Sequence, residues 1–447
     1  MGPGPKTFLL LRWCAGLAVL AVGLASVAHH VTTGGDFRLA VWYPGQALFH
    51  GKNPYNIASF QHYYGSQQVE AFSRGWFPVY GPVHLWLGVV FGAFSVKTAA
   101  AIWFVLNLAG LAVIALIAVR SLDTAIVGRH LGLPAVMAVT GILVLSRPGR
   151  ATLEAGQVTV LYVLLTYVAW SQARKRPWLA CVALALALGK PPFGLPLLAI
   201  FLVRRLWPVV VRGVALFVVA SIPIVIWLSV NAGSLGALWH SVLHNLSYTD
   251  GNRLDAPGSR SRIDALSIVA RYVHVHFGGG AEVAAFVVLV AVAGGAMALA
   301  SSRRGWVLSP AVLLVLGTVT LLCIAHEDYD LLLLTWPFAA ILAMPFGTVW
   351  DRLRSGRLGR LASDESSARE GRAEHSPWGM GVAVLALPAL VLSVIPASDT
   401  SKLLHLGGDI GTISTLTTAS LLLALVGAAA GLVARYGQGG SSGSVRG

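Results

Sequence analysis

Residues Phe8 to Ala28, FLLLRWCAGLAVLAVGLASVA, form one apolar run interrupted by a single charge, Arg12. A run of about 20 such residues matches the roughly 30 Å hydrocarbon core of a bilayer when wound as a helix. A secretory signal would carry a small-x-small cleavage site after a shorter apolar stretch, and no clear one precedes the polar residues that open at His29. The run therefore reads as a first membrane helix, with Lys6 and the N-terminus on the cytoplasmic side. The segment 29–82, rich in Gly, Tyr, Trp and Gln, then lies outside as a large first loop.

Outward from this run the same signal repeats. The 447 residues are 56% hydrophobic and 11% charged, with a mean hydropathy of +0.73. Soluble domains carry roughly 25% charged residues, so the composition excludes an ordinary soluble enzyme and specifies an all-α polytopic membrane protein. Further spans are expected at 99–119, 131–146, 156–171, 177–190, 192–203, 208–230, 281–300, 306–324, 329–347, 378–396 and 411–434. With the first, this makes about 12 transmembrane helices. The apolar stretch 83–98 is expected to be a partial or amphipathic element, because a further full crossing would break the parity of the threading. Segments 177–190 and 192–203 meet at Lys190-Pro191-Pro192, where proline cannot continue a helix without losing a hydrogen bond. A broken or re-entrant pair is expected there, since irregular backbone survives at membrane depth where it lines a cavity.

Charge tests the threading. Lys and Arg total 32 against 18 Asp and Glu, a net charge of +14. Threaded as above, 20 basic residues fall inside and 11 outside, with Lys97 undecided. The positive-inside rule is satisfied, and no nucleic-acid partner is needed to explain the excess. Residues 350–377 form a charged cytoplasmic loop, and 435–447 read as a Gly/Ser-rich disordered tail. Cys14, Cys181 and Cys323 all sit in apolar runs and suggest neither a disulfide framework nor a metal site.

A few polar residues stand where topology would not place them. Gly34-Gly35-Asp36-Phe37-Arg38 follows the first helix, and its glycines allow a tight turn that sets Asp36 at the outer membrane surface. Such a carboxylate suits a base on an acceptor hydroxyl; a helix cap paired with Arg38 is the other reading. Gly75-Trp76-Phe77-Pro78-Val79-Tyr80-Gly81-Pro82 leads into His84 and Trp86. Its plainest reading is an interfacial aromatic belt, although two prolines and two glycines also suit a fixed turn presenting aromatic faces to a sugar or isoprenoid. Arg147 and Arg150, followed by Glu154, Gly156 and Gln157, lie outside against the topology rule. A phosphate would account for them, and so would pairing with Glu154. Lys190 is alone in an apolar stretch and needs either a helix end from which to snorkel or an anion. Finally, Ala325-His326-Glu327-Asp328-Tyr329-Asp330 crowds ionisable groups at a helix entrance, where His326 and backbone amides suit a phosphate. The carboxylates there give no specific metal-ligand set. P-loop, dinucleotide and zinc-protease motifs are lacking. The largest inner loop is too short for a nucleotide-binding domain, so any donor is reached from the membrane or the outer face.

Together, Gly34 to Arg38, Asn53-Pro54-Tyr55, Tyr80-Gly81-Pro82, Gly156-Gln157, Leu188-Gly189-Lys190-Pro191 and His326 to Asp330 before a leucine run resemble the polyprenyl-phosphate-sugar-dependent glycosyltransferases of family 87. The likeness extends over about residues 30–345. Several members have Tyr-Pro-Pro where this chain has Tyr80-Gly81-Pro82. The family has the GT-C fold and includes actinobacterial mannosyl- and arabinofuranosyltransferases. The resemblance implies a single GT-C domain over 1–434, in the plasma membrane with its active site facing the periplasm. It further implies transfer of a sugar, mannose first and arabinofuranose as the alternative, from a polyprenyl-phosphate donor to a glycolipid or polysaccharide acceptor of the cell envelope, with inversion. By the same analogy Asp36 is the base, and His326 with Lys190 and Arg147 or Arg150 holds the leaving phosphate. Arg38, Tyr80, Gln157, Glu327, Asp328 and Asp330 complete the expected donor and substrate contacts. No cofactor and no metal are expected, with a divalent cation left open. The rival from another class is a lipid-linked sugar transporter or flippase. Transporters tend to show repeated halves, and segment 29–82 has no counterpart in the second half. The excess of Arg over Lys, 26 to 6, fits a high-GC actinobacterial source.

Overall fold

A computed structural model describes residues 5–31, 34–56, 80–126, 131–250, 262–273, 277, 279–301, 308–343 and 410–437. These residues are helical almost throughout, and among them there is no strand, only an isolated bridge between Arg262 and Glu327. The expected loop 350–377, the expected span 378–396, the aromatic residues ahead of Tyr80 and the tail beyond Gly437 lie outside the described residues.

Helix α1 (Pro5–Val27) packs along α4 (Gly132–Leu145). Gly16 and Gly23 let the two backbones approach: a Cβ on Gly16 would lie 2.5 Å from the Pro134 carbonyl oxygen. Small residues at a close crossing are the usual device where lipid removes the hydrophobic drive for helix association. The other side of α1 exposes Phe8, Leu9, Leu10, Leu11, Leu17 and Val22, as a lipid-facing surface does. A helical stretch then runs from Gly35 to Phe49, with a π-helical turn over Arg38–Trp42. It packs against α2 (Leu85–Gly92), eight residues long. At about 1.5 Å per residue α2 covers about 12 Å, too little to cross a bilayer, which agrees with the partial element read at 83–98.

Helix α3 (Val96–Ile126) is long and apolar. After α4 the chain bends by 71° into α5 (Arg147–Ala155). The bend sits at Ser146, whose extended backbone breaks the helical ladder and whose hydroxyl accepts the Gly149 N–H at 3.3 Å. Then follow α6 (Thr159–Gln172), α7 (Pro177–Ala187) and α8 (Pro191–Val203). The break between α7 and α8 is Leu188-Gly189-Lys190, where the proline pair predicted it. The remaining helices are α9 (Trp207–Ala232), α10 (Leu235–Asp250), α11 (Ala265–Val273), α12 (Gly279–Ser301), α13 (Pro310–Leu322) and α14 (Ile410–Gly437). A 3-10 turn over Asp328–Leu334 precedes helical residues 335–343.

Among the described residues, four helices are long and apolar enough to cross a membrane, or five with the bent α4–α5 pair counted as one span. Several shorter apolar helices, α7, α8 and α13 among them, fall below that length. The count of about 12 read from the sequence takes these as crossings too. The core lies where α6, α8 and α13 meet the 3-10 turn, around Tyr162, Tyr167, Trp170, Phe193 and Phe201. That core fixes the relative positions of the α5–α6 turn, the α7–α8 break and the segment before residue 335.

Candidate active site

Asp36 is placed by two glycines that sit 122 positions apart in sequence and touch in space. Gly156 ends α5 with φ +71°, and a Cβ there would lie 2.8 Å from Phe37 Cβ and 3.1 Å from Gly34 Cα. Only glycine allows both that backbone and that approach. The turn is pinned from α3: Trp103 Nε1 donates to the Gly156 carbonyl at 2.9 Å, and Asn107 Nδ2 to the Gln157 carbonyl at 3.1 Å. The Gln157 side chain is thereby presented to Asp36, and its Nε2 donates to the carboxylate. Burial pushes the Asp36 carboxyl up from 3.8 to about 7, against the pull of the Gln157 hydrogen bond and of the Lys190 charge. One turn on, the stretch is fastened by His84, whose ring nitrogens meet the Ala40 carbonyl at 3.1 Å and the Tyr162 hydroxyl at 2.8 Å.

The second half of the site is built around Asp330. Its Oδ1 accepts from Lys190 Nζ at 2.8 Å and from Thr159 Oγ1 at 2.7 Å, while Oδ2 meets His326 Nδ1 at 2.8 Å. Lys190 Nζ also donates to Thr159 Oγ1 at 3.1 Å and lies over the rings of Phe193 and Tyr329. Lys190, His326 and Asp330 are all buried. Lys190 therefore does not snorkel; its anion is Asp330. The local sequence explains the geometry. Glu327 and Asp330 form a reciprocal capping box at the start of the 3-10 turn, which aims the Asp330 carboxylate back at His326. The Lys190 side of the break is clipped by a hydrogen bond from Gly81 N–H to the Gly189 carbonyl at 2.8 Å. Tyr55 donates to the Tyr80 carbonyl, so Asn53-Pro54-Tyr55 and Tyr80-Gly81-Pro82 fold onto the same break. A cavity of about 110 Å³ opens there, lined by Tyr80, Lys190, Arg262, His326, Tyr329 and Asp330 among others.

The two outer arginines part company. Arg147 is buried at the start of α5 and pairs with Asp328. Arg150 is half exposed and pairs with Glu154 at 2.6 Å, the partner that also lies 3.3 Å from His30. The pairing alternative read in the sequence thus describes Arg150, whereas Arg147 joins the His326 segment. Arg38 follows Asp36 by two residues, a spacing that points side chains to different sides of a helix. Asp328 and Glu327 serve Arg147 and the capping box, and Asp330 serves Lys190 and His326. Among the described residues, no three His, Cys, Asp or Glu side chains converge as a metal site.

Sequence reading passed over Thr159, Tyr329 and Arg262. Thr159 carries no signal of its own, since threonine at a helix start is an ordinary residue. Arg262 did carry one: it is a basic residue on the outer side, like Arg147. It is buried, donates to Asp264 and at 2.7 Å to Glu282, and is bridged in backbone to Glu327, while Ile263 N–H donates to the His326 carbonyl at 2.9 Å. It clamps the strand of chain that carries His326.

A family model for glycosyltransferase family 87 matches residues 77–325, more than half of the chain. The chain belongs to that family. No curated protein and no solved structure matches it. As a family 87 member the protein is a membrane glycosyltransferase, which sets sugar transfer above the transporter reading. The matched region of this glycosyltransferase contains Tyr80, Gly156-Gln157 and Lys190; Asp36 and His326 lie on either side of it and are joined to it by the contacts above.

Proposed function

We propose that this glycosyltransferase moves mannose from a polyprenyl-phosphate donor to a glycan or glycolipid acceptor of the cell envelope, on the periplasmic face of the plasma membrane, with inversion. Asp36 takes the proton of the acceptor hydroxyl as its oxygen attacks the anomeric carbon. The bond from that carbon to the phosphate oxygen breaks on the opposite face, and its electron pair leaves with the phosphate, which His326 and Lys190 receive. These steps call on no cofactor, and a divalent cation at the phosphate stays open. The observation that carries this reading is the placement of Asp36, whose carboxylate accepts from Gln157 and feels the charge of Lys190, while Lys190 and His326 converge on Asp330. Its surroundings raise the Asp36 carboxyl to about 7. A general base works best when its pKa lies near the operating pH, and a carboxyl used only as a cap needs no such shift.

The test is transfer of labelled sugar from synthetic polyprenyl-phosphate mannose and polyprenyl-phosphate arabinofuranose, with wild type and Asp36→Asn. Wild type is expected to turn over the mannosyl donor, and Asp36→Asn to lose about 10²–10⁴-fold, the usual worth of a general base. Turnover of the arabinofuranosyl donor alone changes the sugar and spares the mechanism. Turnover of neither donor sinks the reading, and an unimpaired Asp36→Asn removes Asp36 as the base.

A further inference from the structure

The orientation of the His326 ring decides what the cavity accepts. Its Nδ1 meets Asp330 Oδ2 at 2.8 Å. Asp330 receives Lys190 and Thr159 on its other oxygen, so it is the ionised partner of a buried lysine and has no hydrogen to give. Nδ1 must then carry the hydrogen of that bond. In a neutral ring the other nitrogen, Nε2, is consequently a bare lone pair. Nε2 is buried and has no partner among the described residues, and His326 lines the cavity.

A phosphate oxygen is an acceptor and cannot pair with a lone pair. Lys190 does not remove the difficulty. Two of its three ammonium hydrogens go to Asp330 and Thr159, and Asp330 already matches its charge. One hydrogen is left for a ligand in the cavity that both side chains line. The other charged and titratable groups around the ring are Arg262, matched by Asp264 and Glu282, Glu327 in its capping box, and the phenols Tyr80 and Tyr329.

We propose that the donor phosphate binds only when His326 carries a second proton on Nε2, and that Asp330 is the positioning residue that imposes this by fixing the first proton on Nδ1. This rests on the transferase reading above and deepens it, since phosphate binding takes up one proton at His326. With Asn at position 330 the constraint reverses. The amide N–H can donate to Nδ1, a neutral ring then holds its hydrogen on Nε2, and phosphate binds without proton uptake.

The probe is farnesyl methyl phosphate, a diester whose own charge does not change across neutral pH and which carries no sugar to transfer. Its Kd is measured by calorimetry against pH in the Asp36→Asn background, where the carboxyl that titrates near 7 is gone. With His326 and Asp330 intact, the Kd is expected to rise about tenfold per pH unit once the free ring has lost its proton. With Asp330→Asn added, the Kd is expected to be flat over the same range. His326→Gln, whose amide N–H does not titrate, is expected to be flat as well and decides the matter if loss of the Lys190 counter-ion prevents Asp330→Asn from folding. A flat profile with both residues intact, or a slope that survives in His326→Gln, overturns the proposal. A slope that behaves as expected, together with no sugar transfer from any donor by the wild type, would leave a protonation-gated phosphate site and sink the transferase reading alone.

Discussion

A carboxyl that ionises near neutrality makes the reaction pH-dependent in a direction that can be worked out. As the proposed base, Asp36 would act only when ionised, and burial raises its carboxyl to about 7. The kcat/KM of the free enzyme is therefore expected to fall about tenfold per pH unit below that point, while the proton that donor binding takes up at His326 adds a second, alkaline limb that His326→Gln removes. Gln157 donates to the carboxylate and so favours the ionised form. Gln157→Leu is expected to move the limb upward by about one pH unit, the worth of a hydrogen bond to a charged group. A pH–rate profile of the two proteins checks both statements, and an unmoved limb in Gln157→Leu would show that another group sets it. Asp36 was legible in the sequence because two glycines and a carboxylate follow a membrane helix. Gln157 was legible as part of a motif, but its hold on Asp36 was not, because the two residues are 121 positions apart. Asp330 was visible for its charge and read as a substrate contact; the structure adds what its position in the sequence did not show, that its two oxygens meet Lys190, Thr159 and His326 at the wall of the cavity.

At the scale of elements, the site depends on a helix end rather than on a helix face. Gly156 combines a left-handed backbone with contact to Phe37 and Gly34. Gly156→Ala places a Cβ 2.8 Å from Phe37 Cβ and forces a conformation that costs roughly 1–2 kcal/mol for a residue with a side chain. The substitution is expected to lower the Tm of the purified protein by about 1–2 °C, at about 1 °C per kcal/mol for a chain of 447 residues. It is also expected to reduce transfer, because the turn carries Gln157. A thermal melt beside a transfer assay reads both, and an unchanged Tm would show that the turn relaxes freely. The α7–α8 break was legible because proline states it outright. The 71° bend between α4 and α5 was not: Arg147–Ala155 is short and amphipathic, and its apolar neighbours on both sides masked it. The partial length of α2 was legible only through the parity of the threading, an argument about the whole chain and not about residues 85–92.

At the scale of the molecule, the low charge and apolar bulk announced a membrane protein, and the exposed leucines, valines and phenylalanines of α1, α3 and α9 are what a lipid-facing surface requires. Periodicity gave the helices but not how each of them meets the bilayer, since hydropathy weighs a short buried helix and a span alike. Orientation is the larger consequence, because a periplasmic site demands that Asp36 and the cluster about Asp330 lie on the side opposite most of the arginines. By the positive-inside count, the N-terminus and residues 350–377 are expected in the cytoplasm and Lys52 outside. Lys52 is exposed just beyond the helical stretch that bears Asp36, so its side of the membrane is the side of the base. In a Cys14→Ser background, Lys52→Cys is expected to react with a membrane-impermeant maleimide on intact spheroplasts. Ser363→Cys, in the charged loop, is expected to react only after permeabilisation. The native Cys181 and Cys323 are buried and stay silent in both conditions. Reaction of both introduced cysteines from outside would break the threading between them. The reverse pattern would place the base in the cytoplasm, where a polyprenyl-phosphate sugar presented on the periplasmic leaflet is out of reach.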